Sequence, residues 1–150
     1  MPEIRHWKKV YEFDLANIIS EFRDAIKTPS VIILTGDLGA GKTTFTKYFT
    51  DIQKVTSPTY ALIQELGRSA HADFYRLEGP DEIMHLEIPL YLEEKDYFLV
   101  EWGKDHLAAL DREVPDNFLF YELKIEINPD SPTDNGAPSR NYLLNTISRN

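Results

Sequence analysis

A run of residues in the first third of the chain has the types and spacing of a phosphate-binding loop. Gly36 and Gly41 enclose four residues, and Lys42 and Thr43 follow, which gives the pattern G-x-x-x-x-G-K-T. Glycine lets the backbone turn tightly, so that its N–H groups can surround a phosphate with no Cβ in the way. In this pattern the lysine bridges the β- and γ-phosphates and the threonine hydroxyl holds Mg²⁺. A glycine-rich turn can match the pattern by chance, but the flanking sequence favours nucleotide binding.

The elements around the loop are those that a phosphate loop needs. Residues 31–34 are apolar and mostly β-branched, which is typical of a strand buried on both faces. Residues 44–49 can continue as a helix, whose first turn would add unpaired N–H donors and the positive end of its dipole. Upstream, residues 15–26 carry apolar side chains at helical spacing, and Asp14 is placed to cap this packing helix. No element is predicted for residues 1–10.

A second signal for nucleotide chemistry is an apolar strand that ends in an acid. Residues 97–102 predict this strand, and Glu101 has the position of a carboxylate that supports Mg²⁺ beside a phosphate loop. Most such strands end in aspartate, so contact with the ion through water is an alternative to direct ligation. The structural alternative is a strand-end acid that faces solvent.

Residues 55–60 predict an irregular, extended segment, because they contain Ser-Pro flanked by further hydroxyl side chains. In a phosphate-loop protein such a segment often covers the γ-phosphate and moves when the phosphate leaves. An ordinary turn into the next strand is the alternative.

Two strands are predicted around the next turn, over residues 60–66 and 70–77. Alternation places His71, Asp73 and Tyr75 on one face of the second strand. Three polar groups on one face are compatible with a solvated sheet edge and equally with a reactive cleft.

The last third of the chain predicts further elements but no further chemistry. A short helix is predicted over residues 104–110 and a strand over 118–127. A second strand over 140–147 can pair with it as a hairpin, across a polar, proline-rich loop at 128–138.

Composition restricts the class of protein. The chain has 150 residues, of which 42% are hydrophobic, so residues 1–150 are expected to form one domain. The sequence contains no apolar run of membrane-spanning length and no N-terminal signal pattern, so we expect a cytoplasmic protein without a membrane partner. The net charge of −9 argues against a protein that grips nucleic acid by itself, because phosphate contacts need a basic face. The lack of cysteine excludes disulfide and thiolate chemistry.

These parts suffice for hydrolysis of ATP or GTP, or for phosphoryl transfer. Guanine specificity usually needs N-K-x-D and switching needs D-x-x-G, and the sequence has neither, which disfavours a GTPase. A small-molecule kinase brings several cations to the transferred phosphate, whereas the arginines here are scattered, with Arg76 the best placed by sequence. ATP hydrolysis is therefore favoured. A small-molecule or nucleoside kinase and a non-catalytic adaptor with a structural nucleotide remain open.

Four stretches stand in the order found in bacterial TsaE proteins, the ATPase family that serves tRNA threonylcarbamoyladenosine biosynthesis. They are the loop at residues 36–45, the segment 56–60, H-x-D-x-Y-R-L at 71–77 and V-E-W at 100–102. The chain resembles this family from the first helix to V-E-W, and more loosely through the strand that carries Arg140. The loop alone is a strong signal, and the four stretches together are specific.

The resemblance implies an α/β protein with a three-layer, P-loop nucleoside triphosphatase-like fold, in which helices flank a central mixed β-sheet. It implies ATP and Mg²⁺ as cofactors, and TsaB- and TsaD-like proteins as partners through which tRNA is reached only indirectly. The implied function serves modification of the adenosine next to the anticodon in tRNAs that read codons beginning with A. In this role ATP would drive association with the partner complex and its resetting, and hydrolysis by the isolated protein would be slow.

The same resemblance implies the site residues. Lys42, Asp73 and Glu101 are expected to be catalytic, and Thr43 and Glu101 to hold the metal. The residues expected to bind the nucleotide are Asp37, Leu38, Gly39, Ala40, Gly41, Lys42, Thr43, Thr44, Ser57, Thr59, Trp102 and Arg140.

Overall fold

The computed structural model of the protein describes residues 3–52, 62–129 and 138–149. Its strands are β1 (Glu3–Val10), β2 (Ser30–Thr35), β3 (Ile63–Leu66), β4 (Ser69–Asp73), β5 (Tyr97–Glu101), β6 (Leu119–Ile127) and β7 (Arg140–Ile147). These seven join one sheet in the order β1-β7-β6-β2-β5-β4-β3. The α-helices are α1 (Leu15–Ala25), α2 (Lys42–Thr50), α3 (Pro80–Met84), α4 (Ile88–Tyr91) and α5 (Leu107–Glu113). Short 3-10 turns precede α1 and α5.

The phosphate-loop sequence follows the central strand of a parallel core. β2 pairs in parallel with β5 on one side and β6 on the other, and β4 pairs in parallel with β5. Residues 30–34 are fully buried, as expected for a strand covered on both faces. Antiparallel pairings add β3 at one end of this core and β7 and β1 at the other. The predicted α/β class with a central mixed sheet is confirmed.

Helices cover both faces of the sheet and complete three layers. On one face α1 and α2 contribute Phe22, Phe45 and Phe49, whose ring centroids lie 5.4–5.8 Å apart. On the other face α3 and α5 bury Ile83 and Leu110 against the sheet. The edge-to-face contacts of Phe22 with Phe45 and Phe49 hold α2 against α1, because edge-to-face ring packing is directional.

Most of the predicted elements are present. The packing helix over residues 15–26, the strand over 31–34, the helix after the loop and the hairpin of β6 with β7 are confirmed. Within the described ranges, every helix is too short or too polar to span a lipid bilayer.

β1 is an element that the sequence analysis did not predict. It forms an edge of the sheet and pairs antiparallel with β7, with breaks in register between Glu3 and Arg5 and between Trp7 and Val10. Each irregularity interrupts the two-residue alternation from which a strand is recognised. Only Trp7 and Val10 of this strand are buried, so no polar–apolar period can be read from it.

Arg149 fastens the end of the described chain to the C-terminal end of α5. Its guanidinium donates hydrogen bonds to the carboxylate of Asp111 at 2.7 Å and to the carbonyl oxygens of Asp111, Val114, Pro115 and Phe118 at 2.6–2.9 Å. The last carbonyl groups of a helix have no partner within the helix, so this side chain satisfies groups that would otherwise need water.

Arg149→Ala is expected to lower the free energy of unfolding by about 2–3 kcal/mol, because it removes charge-assisted hydrogen bonds from several partly buried acceptors at once. Urea denaturation measures this difference. Arg112→Ala is the matched control, since Arg112 lies exposed on α5. Its loss should change the free energy of unfolding by less than about 0.5 kcal/mol. Equal losses in the two variants would contradict the assignment.

Candidate nucleotide-binding site

The backbone between β2 and α2 has a shape that requires glycine. Gly36, Gly39 and Gly41 have φ angles of +150°, +80° and +112°, where side chains other than glycine are strained. A Cβ on Gly36 would lie 2.6 Å from the carbonyl oxygen of Ile125, and a Cβ on Gly41 would lie 3.0 Å from Nε of Arg140. Glycine at Gly36 and Gly41 therefore lets the loop turn tightly while β6 and the Arg140 side chain lie close against it.

Lys42 begins α2 and points back into the loop. Its side chain is only 5% exposed, and Nζ donates a hydrogen bond to the carbonyl oxygen of Gly36 at 2.6 Å. Nζ also lies 3.8 Å from the ring centroid of Trp102, a favourable position for a cation. Burial lowers the pKa of this ammonium from its ordinary value, an effect opposed by the nearby carboxylates of Glu101, Asp73 and Asp37. In the described ranges no carboxylate forms an ion pair with Lys42, so its charge remains available to a phosphate.

Glu101 lies where the end of β5 meets the start of α2. Its side chain is 5% exposed, which overturns the alternative of a strand-end acid that faces solvent. The hydroxyl of Thr43 donates to Oε2 of Glu101 at 3.1 Å, although the two residues are 58 positions apart. On the other side, Nε2 of His71 lies 2.6 Å from the same oxygen. The parallel registers of β2, β5 and β4 bring these groups together toward the carboxyl ends of the three strands.

Asp73 stands beside Glu101 because the two residues are paired in the register of β4 and β5. The carboxylate of Asp73 accepts a hydrogen bond from the backbone N–H of Tyr75 at 3.0 Å. This bond closes a turn, so β4 ends at Asp73, and the prediction that the strand continues to residue 77 was wrong. The alternative of a solvated edge was also wrong, because β4 lies between β5 and β3 and His71 is fully buried.

A cleft of about 300 Å³ joins most of the predicted site residues. From the loop and the start of α2 it is lined by Leu38, Gly39, Gly41, Lys42, Thr43 and Thr44. The ends of β4 and β5 add Asp73, Tyr75, Glu101 and Trp102, and β7 adds Arg140. Asp37 and Ala40 belong to the same loop without lining the cleft, and Ser57 and Thr59 lie outside the described residues. The individual roles of these residues stay predictions.

Arg140 connects the hairpin to the loop. Its Nε donates a hydrogen bond to the carbonyl oxygen of Ala40, across 100 positions of sequence. Gly41 leaves the room through which this guanidinium reaches the loop. Arg140 thus holds the loop backbone and also places a positive charge at the wall of the cleft.

The donor atoms at this edge suit a magnesium ion. Mg²⁺ prefers oxygen ligands, and it is usually held by one or two protein groups together with water and substrate phosphates. The Thr43 hydroxyl and the Glu101 carboxylate provide such a pair. Among the described residues no three histidine or acidic side chains form a cluster that could hold a metal alone, so a protein-only cage is not the arrangement found here.

The sequence did not predict the contacts that two side chains of the site make in the structure. His71 was placed on the polar face of its strand but was assigned no role, although alternation with Asp73 was a signal that it lies on the same side of the sheet as Asp73. Trp102 follows β5 with a φ of +61°, and this left-handed backbone accompanies the approach of its ring to Lys42. A tryptophan in the sequence gives no sign that its backbone will adopt a positive φ.

The chain is similar to a family of known proteins. A family model described as threonylcarbamoyl adenosine biosynthesis protein TsaE matches residues 11–135. Several curated relatives carry the name tRNA threonylcarbamoyladenosine biosynthesis protein TsaE, among them three from different bacteria. The one from Bacillus subtilis is 38% identical over 106 residues, which are 65% of this chain and 63% of the relative. The one from Haemophilus influenzae is 37% identical over 61% of this chain and 64% of the relative, and the one from Nostoc sp. is 42% identical over 54% and 57%.

These alignments therefore span less than two thirds of the length of the three relatives. A likeness to a solved structure extends further along the chain. The crystal structure of Bacillus subtilis YdiB superposes with a TM-score of 0.55 at 26% identity, covering 96% of this chain and 86% of that one. The fold described above is thus shared over nearly the whole chain.

Proposed function

Because this chain belongs to the TsaE family of threonylcarbamoyl adenosine biosynthesis proteins, we propose that it is a Mg²⁺-dependent ATPase that serves threonylcarbamoyladenosine modification of tRNA. The observation that carries the proposal is the contact between Thr43 and the buried Glu101, beside a glycine-shaped loop that encloses Lys42. Family membership supports the pathway, and this arrangement supports the reaction. In the proposal, residues 1–150 act as one cytoplasmic ATPase domain.

The loop and two cations bind the triphosphate. Backbone N–H groups of the loop and of the first turn of α2 surround the phosphate oxygens. Lys42 exchanges its hydrogen bond with the carbonyl of Gly36 for the phosphates, and Arg140 contributes a second positive charge from the wall of the cleft. Trp102 leaves Lys42 free for this exchange, because a cation–π contact is worth only about 0.5–2 kcal/mol.

Thr43 and Glu101 hold the metal, and the acids orient the attacking water. A Mg²⁺ ion held there would supply positive charge that neutralises the phosphate oxygens. Glu101 presents its carboxylate from a buried position, where solvent screens it little. Asp73 is half-buried at the wall of the same cleft, so one carboxylate of the pair can accept a proton from water while the other faces the metal. Ser57 and Thr59 belong to the proposal as groups around the γ-phosphate, from the segment outside the described residues.

The cations of the described site explain why turnover by the isolated protein should be slow. Phosphoryl transfer needs positive charge on the oxygens of the transferred group. Of the described side chains that line the cleft, Lys42 and Arg140 are the cationic ones, and Arg140 is also bound to the loop carbonyl of Ala40. Arg76, the arginine best placed by sequence, is exposed and does not line the cleft. A partner that completes or aligns these donors would accelerate the reaction.

The surface around the cleft is compatible with such a partner. Leu38 and Tyr75 are 69% and 56% exposed at its rim, and apolar side chains grouped at a surface often mark contacts with other proteins. The net charge of −9 opposes direct tRNA binding. TsaB- and TsaD-like proteins are the proposed partners, with tRNA reached through their complex, and ATP-dependent association followed by hydrolysis would reset that complex.

A second cleft gives specific support to one alternative, a small-molecule or nucleoside kinase. It has a volume of about 360 Å³, is lined by Thr35, Lys104 and His106 among others, and shares Tyr75 and Trp102 with the first cleft. A cavity of that size beside a triphosphate site could hold a phosphoryl acceptor.

Phosphate release from ATP, with and without the two partner proteins, tests the proposal. We expect slow release alone, a marked increase with partners, and no release when Mg²⁺ is chelated. Transfer of radiolabel from the γ-phosphate of ATP to a metabolite would instead identify a kinase. A bound nucleotide that never turns over, even with partners present, would identify a non-catalytic adaptor.

A further inference from the structure

His71 is a buried polar side chain in the middle of the sheet. It lies on β4, between β3 and β5, and its side chain has no solvent exposure. Its neighbours in the strand, Ala70 and Ala72, belong to the apolar cluster on one face of the sheet. His71 points to the opposite face, on which α2 packs, so it lies beneath the cleft without lining it.

The imidazole makes one hydrogen bond among the described residues. Its Nε2 lies 2.6 Å from Oε2 of Glu101, while its Nδ1, also buried, has no hydrogen-bond partner in the described part of the chain. A carboxylate oxygen accepts hydrogen bonds, so the short contact places the hydrogen on Nε2. Burial of an imidazole is costly unless its polar atoms are bonded, and here the bond to Glu101 is what offsets that cost.

This bond leaves the two oxygens of Glu101 in different surroundings. Oε2 accepts from Nε2 of His71 at 2.6 Å and from the hydroxyl of Thr43 at 3.1 Å. Oε1 has only the longer contact with Thr43, at 3.4 Å. The carboxylate is thus held through Oε2 by His71, and Oε1 remains available at the cleft.

We propose that His71 is the positioning residue for Glu101, and that its Nε2–H fixes the carboxylate in the orientation that receives the metal. This inference rests on the proposed function, since it concerns the magnesium site of that reaction. A ligand that is held in place binds a metal more tightly than one that must first be ordered. Without this bond, the Glu101 side chain would be free to rotate about its last torsion, which has broad minima.

Two amide substitutions at position 71 separate this role from simple filling of the interior. The amide of His71→Gln can reach the place of Nε2, whereas the same group in His71→Asn is one bond shorter and cannot. The readout is the Mg²⁺ concentration that half-saturates calorimetric binding of a non-hydrolysable ATP analogue. We expect His71→Gln to stay close to the unmodified protein and His71→Asn to need about 10–100-fold more Mg²⁺. Binding of the same analogue in excess chelator should be unchanged in both.

Equal Mg²⁺ requirements in folded His71→Asn and in the unmodified protein would overturn the proposal. An equal rise in the Mg²⁺ requirement of both variants would also overturn it. A side chain that only fills the interior would not depend on how far its amide reaches. If the unmodified protein binds no nucleotide, the proposed function fails instead, whatever the variants do.

A measurement on the unmodified protein covers the case in which the asparagine variant does not fold. Nitrogen-15 NMR of the histidine rings identifies which nitrogen of His71 carries the hydrogen. We expect Nε2–H, slow exchange with solvent, and a shift of this signal with nucleotide plus Mg²⁺ that is absent with nucleotide plus chelator. A ring protonated only at Nδ1, or one that responds equally with and without Mg²⁺, would refute the positioning role.

Discussion

Lys42→Ala is expected to weaken ATP binding by about 10–100-fold, because charge-assisted hydrogen bonds to a phosphate contribute about 1.5–3 kcal/mol. The Nζ of Lys42 lies inside the loop, 2.6 Å from the carbonyl of Gly36, and forms no ion pair with a described carboxylate. Its charge is therefore directed at the position that a phosphate would take. Calorimetric titration with a non-hydrolysable ATP analogue and Mg²⁺ measures the change in dissociation constant.

The fold should survive this substitution. Burial lowers the pKa of the Lys42 ammonium, which means that desolvation opposes its charged form in the folded protein. Removing the side chain also removes this desolvation cost, so lost binding in the folded variant can be attributed to the phosphate contact. Lys27→Ala is the control, because Lys27 is exposed just before the N-terminal end of β2, whereas the loop follows the C-terminal end of that strand. Unchanged affinity in Lys42→Ala would remove the basis for a phosphate site in this loop.

Glu101→Gln is expected to slow ATP hydrolysis by at least about 100-fold while nucleotide binding in the absence of Mg²⁺ changes little. The amide keeps the shape of the buried side chain but loses the negative charge that Mg²⁺ prefers in its protein ligands. Losing one electrostatic group of this kind at a reacting centre typically costs about 10²–10³ in kcat. Single-turnover phosphate release, compared with analogue binding in chelator, separates the two effects.

Glu122→Gln provides a matched control. Glu122 is also buried, at 3% exposure, and interacts with Thr35 and Lys104 away from the cleft. Its substitution should leave the rate of hydrolysis per folded molecule close to that of the unmodified protein. Full hydrolysis by Glu101→Gln would refute the role assigned to Glu101.

The parts of the fold that could be predicted are those with a local signature. Apolar runs mark β2 and β5, apolar residues at helical spacing mark α1, and the glycines mark the loop, because each signal lies within a few consecutive residues. The hairpin of β6 with β7 is a second example, since two β-rich runs flank a loop that has no capacity to pack. Each of these elements is confirmed.

The parts that could not be predicted depend on partners distant in sequence or on local exceptions. β1 was missed because two breaks in its register remove the alternation of buried and exposed residues. The end of β4 was misplaced because one hydrogen bond, from the N–H of Tyr75 to the carboxylate of Asp73, stops a run whose composition still favours a strand. Propensity gives no information on either event.

The site shows the same division. The loop was visible as a motif, and Glu101 as an acid after an apolar strand, but the burial of Glu101 follows from the strand order around β5 and from the position of α2. The contact of His71 with Glu101 requires the parallel register of β4 and β5. No pattern within either strand specifies that register.

The bond from Arg140 to the carbonyl of Ala40 has a consequence for biosynthesis. A ribosome releases the phosphate loop long before it releases β5, β6 and β7, which hold that loop and β2 in place. Nucleotide bound as proposed would therefore not assist the early stages of folding of a nascent chain. In the proposed function, ATP would become a stabilising ligand only after the C-terminal strands have emerged and joined the sheet.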